Sequence, residues 1–269
     1  MHWMHRGLCC LLLAALTRSS TGQPAPEEVT FPSGNLQLHG FLWRPAGAGP
    51  FPAILWNHGS ERHPTAQPGL AGFYTGHGYL FFVPHRRGQG RSPGPYIQDQ
   101  LAISPRYVRP ERMIELQEID NADVIAALAY LRSQPFVDPA RIAISGCSYG
   151  GIQTLLAGEH PLGVVALIPF APGAMSWERA PALQWRLRQA VVRATAPIFL
   201  LQAANDYSLG PAFELSREAE RHHADFHAKV YPPQGTNRRA GHGEFCTAAT
   251  DVWGNDVLAF LEAHMSTAR

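Results

Sequence analysis

From residue 51 onward, short apolar runs alternate with longer stretches of helical periodicity. Residues 51–56, 79–83, 142–145 and 164–168 are apolar runs of strand length and read as buried strands, 198–202 reads as a further strand, and 226–231 as the last one. Between them lie candidate helices at 68–78, 152–157 and 212–223, and a closing one at 249–264. The longest is 110–134, where Met113, Leu116, Ile119, Val124, Leu128 and Leu131 recur at helical spacing. Residues 175–192 are amphipathic and read either as a small cap or as the next crossover helix. Residues 93–109 carry Pro93, Pro95 and Pro105, with Pro110 just beyond, and read as an irregular loop over a site. Upstream, residues 28–31 and 36–43 alternate apolar and polar around Pro32-Ser33-Gly34, the pattern of an antiparallel hairpin. Strands alternating with helices predict an α/β fold: a mostly parallel central sheet with helices on both faces and that hairpin at its edge.

Composition narrows the picture. A chain of 269 residues, 45% hydrophobic, can bury one large core, and no linker or repeat divides it. The formal net charge of +1 gives no reason to expect nucleic acid as a partner. The first 22 residues read as a signal peptide: Arg6 supplies the charge, residues 7–16 an apolar core, and Ser20-Thr21-Gly22 a small-residue cleavage site before Gln23. The apolar core is shorter than the ~20 residues of a membrane span, so no stable insertion is expected after processing. The expected mature chain is therefore 23–269, one exported domain, with Cys147 and Cys246 its remaining cysteines.

The candidate chemistry sits where the apolar run at 142–145 ends. Gly146-Cys147-Ser148-Tyr149-Gly150 is G-x-S-x-G between a strand and a helix, the context in which a sharp turn lifts a serine clear of a sheet. A serine hydroxyl needs a base, and the base needs an acid to fix its tautomer. Asp206 follows the strand at 198–202 and is the candidate acid; the alternative is that it caps the next helix. Asp225 and Asp251 are worse placed. His242, flanked by Gly241 and Gly243 after the last strand, is the candidate base. The oxyanion hole would take its N–H donors from Tyr149 and from Ser60, with Glu61 as the alternative. His58 reads as a brace for that loop. Arg86 and Arg87 read as internal partners, with a substrate carboxylate as the second possibility. Trp177, Trp185 and Phe170 read as core before acyl-pocket lining. No H-E-x-x-H motif or Cys/His cluster occurs, so no zinc or other metal site is expected.

Asn57-His58-Gly59-Ser60, the run from Pro84 to Ser92, the serine turn, Ala204-Asn205-Asp206 and Gly241-His242-Gly243 together resemble the α/β-hydrolase superfamily. Within it the chain is similar to the dienelactone hydrolase and prolyl-oligopeptidase catalytic-domain group. Asp120-Asn121-Ala122-Asp123 through Arg141 also resembles that group's approach to the elbow. The resemblance implies the α/β-hydrolase fold and a Ser-Asp-His triad acting on a small-molecule ester or amide without a cofactor. Dienelactone hydrolases use a cysteine nucleophile, but a frame centred on Cys147 would put Ser145 and Tyr149 where glycines belong. Prolyl oligopeptidases carry a propeller that this length does not accommodate. Feruloyl-esterase and tannase-like hydrolases resemble the placing of Cys147 and Cys246 beside the serine and the histidine, which implies a disulfide; two separate buried thiols are the alternative. The expected activity is ester hydrolysis. A small peptidase or amidase, and a binding protein without turnover, remain open, and the oligomeric state is unknown.

Overall fold

The computed structural model describes residues 25–266. The segment read as a signal peptide lies outside them. The elements in chain order are β1 (Glu27–Ser33), β2 (Leu36–Trp43), β3 (Phe51–Asn57), α1 (Pro68–Gly76), β4 (Leu80–Pro84), α2 (Ile97–Ile103), α3 (Arg109–Arg132) and β5 (Val137–Cys147). They continue with α4 (Tyr149–Gly158), β6 (Ala166–Phe170), α5 (Pro181–Arg193), β7 (Ile198–Ala203), α6 (Gly210–His222), β8 (Phe226–Tyr231), α7 (Phe245–Ala248) and α8 (Thr250–Met265). Short 3₁₀ turns at Arg106–Val108 and Trp177–Arg179 precede α3 and α5.

The eight strands form one sheet in the order β1-β2-β4-β3-β5-β6-β7-β8. β1 and β2 pair antiparallel, as do β2 and β4, and every pairing from β4 through β3 to β8 is parallel. This is the expected α/β-hydrolase architecture, with the hairpin at the edge. The inner parallel strands β4, β6 and β7 are buried on both faces, which is why they read as continuous apolar runs, whereas β8, at the sheet's edge, is largely exposed. Successive residues of β3 go to opposite sides. Ala53 and Leu55 join the core under α3, α4, α5 and α6, while Ile54 and Trp56 join the core under α1 and α8.

Three sequence expectations need correction. Pro32 and Ser33 belong to β1, paired with Gln37 and Leu36, so the turn falls at Gly34 and Asn35. An edge strand tolerates a proline because the missing N–H faces no partner. β5 begins at Val137, which pairs with Phe51 ahead of a register shift, not at Ile142. Residues 93–109 are not an irregular loop throughout: α2 and the 3₁₀ turn occupy most of their second half.

Candidate active site

β5 ends on the sequence that sets the site. Ser148 has φ 57° and ψ −114°, a strained conformation for a residue with a side chain. The strain is held by the neighbours: the Ser148 N–H donates to the Phe170 carbonyl at 2.9 Å. A Cβ on Gly150 would lie 1.8 Å from the Asn57 carbonyl oxygen, and one on Gly146 2.6 Å from the same atom. Only glycine lets the turn pass so close to β3. Tyr149 opens α4, and its N–H is among those that no helical carbonyl precedes. The Tyr149 ring points back into the fold, where its hydroxyl donates to Asp120 Oδ2 at 2.9 Å. Burial pushes the Asp120 carboxyl up to about 6.

Asp206 and His242 meet although 36 residues separate them. His242 Nδ1 lies 2.8 Å from Asp206 Oδ1, and both side chains are buried. Asp206 does not cap α6, whose first N–H groups, those of Gly210 and Ala212, go to the side chains of Ser208 and Gln202. Its oxygens instead accept the Tyr207 N–H at 2.6 Å and Gln202 Nε2 at 3.0 Å. Gln202 was missed in the sequence; a glutamine closing an apolar strand is the signal that could have found it. It is fully buried, donates also to the Ser208 carbonyl and accepts the Ala212 N–H, so it fixes the carboxylate against β7. His242 sits in a π-helical turn, Ala240–Glu244, where a loop was expected. Of its flanking glycines only Gly241 is required: a Cβ there would meet Asn205 Oδ1 at 2.4 Å, whereas Gly243 faces open space. The other ring nitrogen, His242 Nε2, is buried without a hydrogen-bond partner and lines a cleft of about 530 Å³ that also holds Ser148, Ser60 and Glu61. The Ser148–His242 hydrogen bond is the one link of the set not formed here; such bonds are often long before substrate binds.

Cys147 and Cys246 are joined by a disulfide, with Cα atoms 5.9 Å apart. It ties the serine turn to the segment just after His242, and two separate thiols are excluded. The loop after β3 is braced as expected. Arg86, only 1% exposed, donates to the carbonyls of His58 and Gly59 at 2.9 and 2.7 Å, and Arg87 pairs with Asp123 at 2.6 Å. Both guanidinium groups are thus engaged with partners inside the fold. Burial and the adjacent Arg86 guanidinium lower the pKa of His58 to about 4, so it serves the loop as a neutral brace. The Ser60 carbonyl accepts the Tyr96 hydroxyl. Trp177 and Phe170 are core, Trp185 is exposed, and none of the three lines a cavity beside Ser148. Among the described residues no cluster of His, Cys, Asp or Glu could hold a metal ion.

A second cavity, of about 440 Å³, reaches Ser148 and Ser60 from the side of α3 and α5. It has an apolar floor of Met113, Ile114, Ile152 and Leu183. His242 lines the first cleft and not the second.

The model of the X-Pro dipeptidyl-peptidase (S15) family matches residues 34–195. That span holds Ser60 and the serine turn, while Asp206 and His242 lie beyond it. The quorum-quenching protein AidA of Acinetobacter baumannii (strain MDR-ZJ06) is 28% identical over 158 residues, 56% of this chain and 46% of AidA. The chain thus spans less than half the length of that relative. Among solved structures, an esterase of Pyrococcus furiosus superposes with a TM-score of 0.63 at 14% identity, covering 89% of this chain and 91% of the esterase. Pyrococcus horikoshii acylaminoacyl peptidase gives 0.62 at 18% identity, over 83% of this chain and 38% of the peptidase. At these identities the structures share the fold with this chain, that of the α/β-hydrolase superfamily.

Proposed function

The chain belongs to the X-Pro dipeptidyl-peptidase (S15) family, and on that premise we propose that it is an exported serine hydrolase of carboxylic esters. The observation that carries the reading is the Asp206–His242 contact, whose free buried Nε2 lines the same cleft as a strained serine. His242 Nε2 takes the Ser148 proton as Oγ attacks the carbonyl. Asp206 holds the tautomer that leaves Nε2 able to accept, and stabilises the imidazolium that follows. The Tyr149 and Ser60 N–H groups receive the oxyanion. His242 then returns the proton to the leaving alkoxide, and water, activated by the same imidazole, releases the acyl group.

Two observations support an ester over a peptide substrate. No carboxylate lines the cavity beside Ser148 on the α3 side, where the ammonium of a peptide N-terminus would need one. The cavity floor is apolar, as suits an acyl chain. The family match favours the second reading, a small peptidase or amidase. Export is supported by the N-terminal pattern and by the Cys147–Cys246 disulfide, which persists in an oxidising compartment. Comparing kcat/KM for short p-nitrophenyl esters with that for aminoacyl p-nitroanilides tests the choice. Esters should lead; anilides cleaved as fast, X-Pro anilides above all, would replace this reading with the peptidase.

A further inference from the structure

The two cavities that meet at Ser148 differ in what they offer a substrate. His242 must hand its proton to the leaving group, so the leaving alcohol lies in the cleft that His242 lines. The acyl part then occupies the cavity on the α3 side, which Ser148, Tyr149 and Ser60 also line. Besides its apolar floor this cavity has three arginines: Arg106 from the 3₁₀ turn, Arg109 from the start of α3, and Arg179 from the turn before α5. Arg106 and Arg179 are exposed, so they stand at the mouth.

Three guanidinium groups around one apolar cavity, with no carboxylate among its lining residues, need an account. Arg109 is occupied, donating to the carbonyls of Ser104 and Ala102 at 3.0 Å each. Among the described residues the guanidinium groups of Arg106 and Arg179 make no hydrogen bond or ion pair; their bonds are through the backbone alone. Of the carboxylates on neighbouring segments, Asp99 pairs with Arg62, Glu115 with Arg112, Glu118 with Arg186 and Glu178 with the Ser208 hydroxyl, while Glu111, in the first turn of α3, lines a separate cavity with Trp185. Arginine presents a planar fork that matches an acid group by paired hydrogen bonds.

We propose that the acyl group carries a carboxylate at its far end: the apolar segment lies on Ile152, Leu183 and Met113, and the acid is held at the mouth by Arg106 and Arg179. The substrates of this class are half-esters of dicarboxylic acids. The assignment rests on the ester-hydrolase reading above and adds its acyl specificity. It also gives a physical reason for a cationic mouth beside a serine, since an anionic acyl chain would be drawn in and oriented before attack.

The test compares mono-p-nitrophenyl esters of glutarate, adipate and suberate with their methyl-capped counterparts, which differ only in the terminal charge. At low salt kcat/KM should favour the acid member of one pair by about tenfold, the worth of one charge-assisted contact, and added salt should shrink the ratio. In a protein carrying Arg106→Gln and Arg179→Gln the ratio should fall to about one. A ratio does not depend on how much of the variant is folded. A wild-type ratio of one or below for every pair, or a preference that survives in the variant, overturns the proposal. Turnover of the methyl-capped esters reports separately on ester hydrolysis. If no ester is cleaved, the hydrolase reading fails, and calorimetric binding of free adipate decides the arginine site: binding lost in the variant upholds it, and no binding to the wild type ends it.

Discussion

At the scale of single residues the site depends on how near the serine turn lies to β3. Gly150 shows this most directly, because a methyl group there would lie 1.8 Å from the Asn57 oxygen, far inside van der Waals contact distance. Gly150→Ala should therefore destabilise the protein by about 3 kcal/mol or more, read as a lower urea midpoint with an unchanged slope. An unaffected midpoint would mean that the turn is looser than described. Ser148, Asp206 and His242 were legible as candidates because each stands in a local context that carries information: a glycine-flanked turn, the end of an apolar strand, a glycine-rich stretch after the last strand. Gln202, Asp120 and Tyr207 were not. Gln202 and Asp120 act through hydrogen bonds to residues reached by folding, and the Tyr207 ring stands edge-on to His242 at 5.5 Å. None leaves a periodic or spacing signal.

At the scale of elements, the loops after β3 and β4 form one buried polar layer. His58 and His85 pack edge to face at 5.6 Å beside Arg86. Burial, together with the cationic neighbour, lowers the pKa of His58 to about 4; burial, then His58 and Arg86, lowers that of His85 to about 3. Both are thus neutral in the folded protein, whereas the unfolded chain takes up these protons below about pH 6.5. The layer's contribution to stability is complete above that value and is lost as pH falls through 4 toward 3. The urea midpoint should drop across this window, and more gently in His85→Gln. Equal slopes in the two proteins would show that His85 is protonated within the fold. Element boundaries were the least legible part of the chain. Prolines in 93–110 read as breakers, yet Pro105 and Pro110 stand at the N-termini of the 3₁₀ turn and of α3, where a missing N–H costs little. The start of β5 was hidden by Asp138 and Pro139, which interrupt an otherwise apolar strand.

At the scale of the whole molecule, the alternation of apolar runs and periodic stretches carried the architecture, because buried parallel strands cannot be polar on either face. Long-range links were harder to read. The Cys147–Cys246 bond closes a sequence separation of 99 residues and couples the serine turn to the end of the histidine turn. By chain entropy such a loop contributes about 5 kcal/mol, so reductant should lower the urea midpoint clearly. A midpoint indifferent to reduction would remove the bond from the account of stability. The same bond places Ser148 and His242, distant in sequence, next to one covalent frame, and the central claim is that the two are a working nucleophile and base. The most direct measurement is labelling of the intact protein with a fluorophosphonate, with the adduct mapped by mass spectrometry. The account predicts one adduct, on Ser148, and a labelling rate reduced by several orders of magnitude in His242→Ala. An adduct elsewhere, or labelling of Ser148 at the same rate without His242, would contradict it.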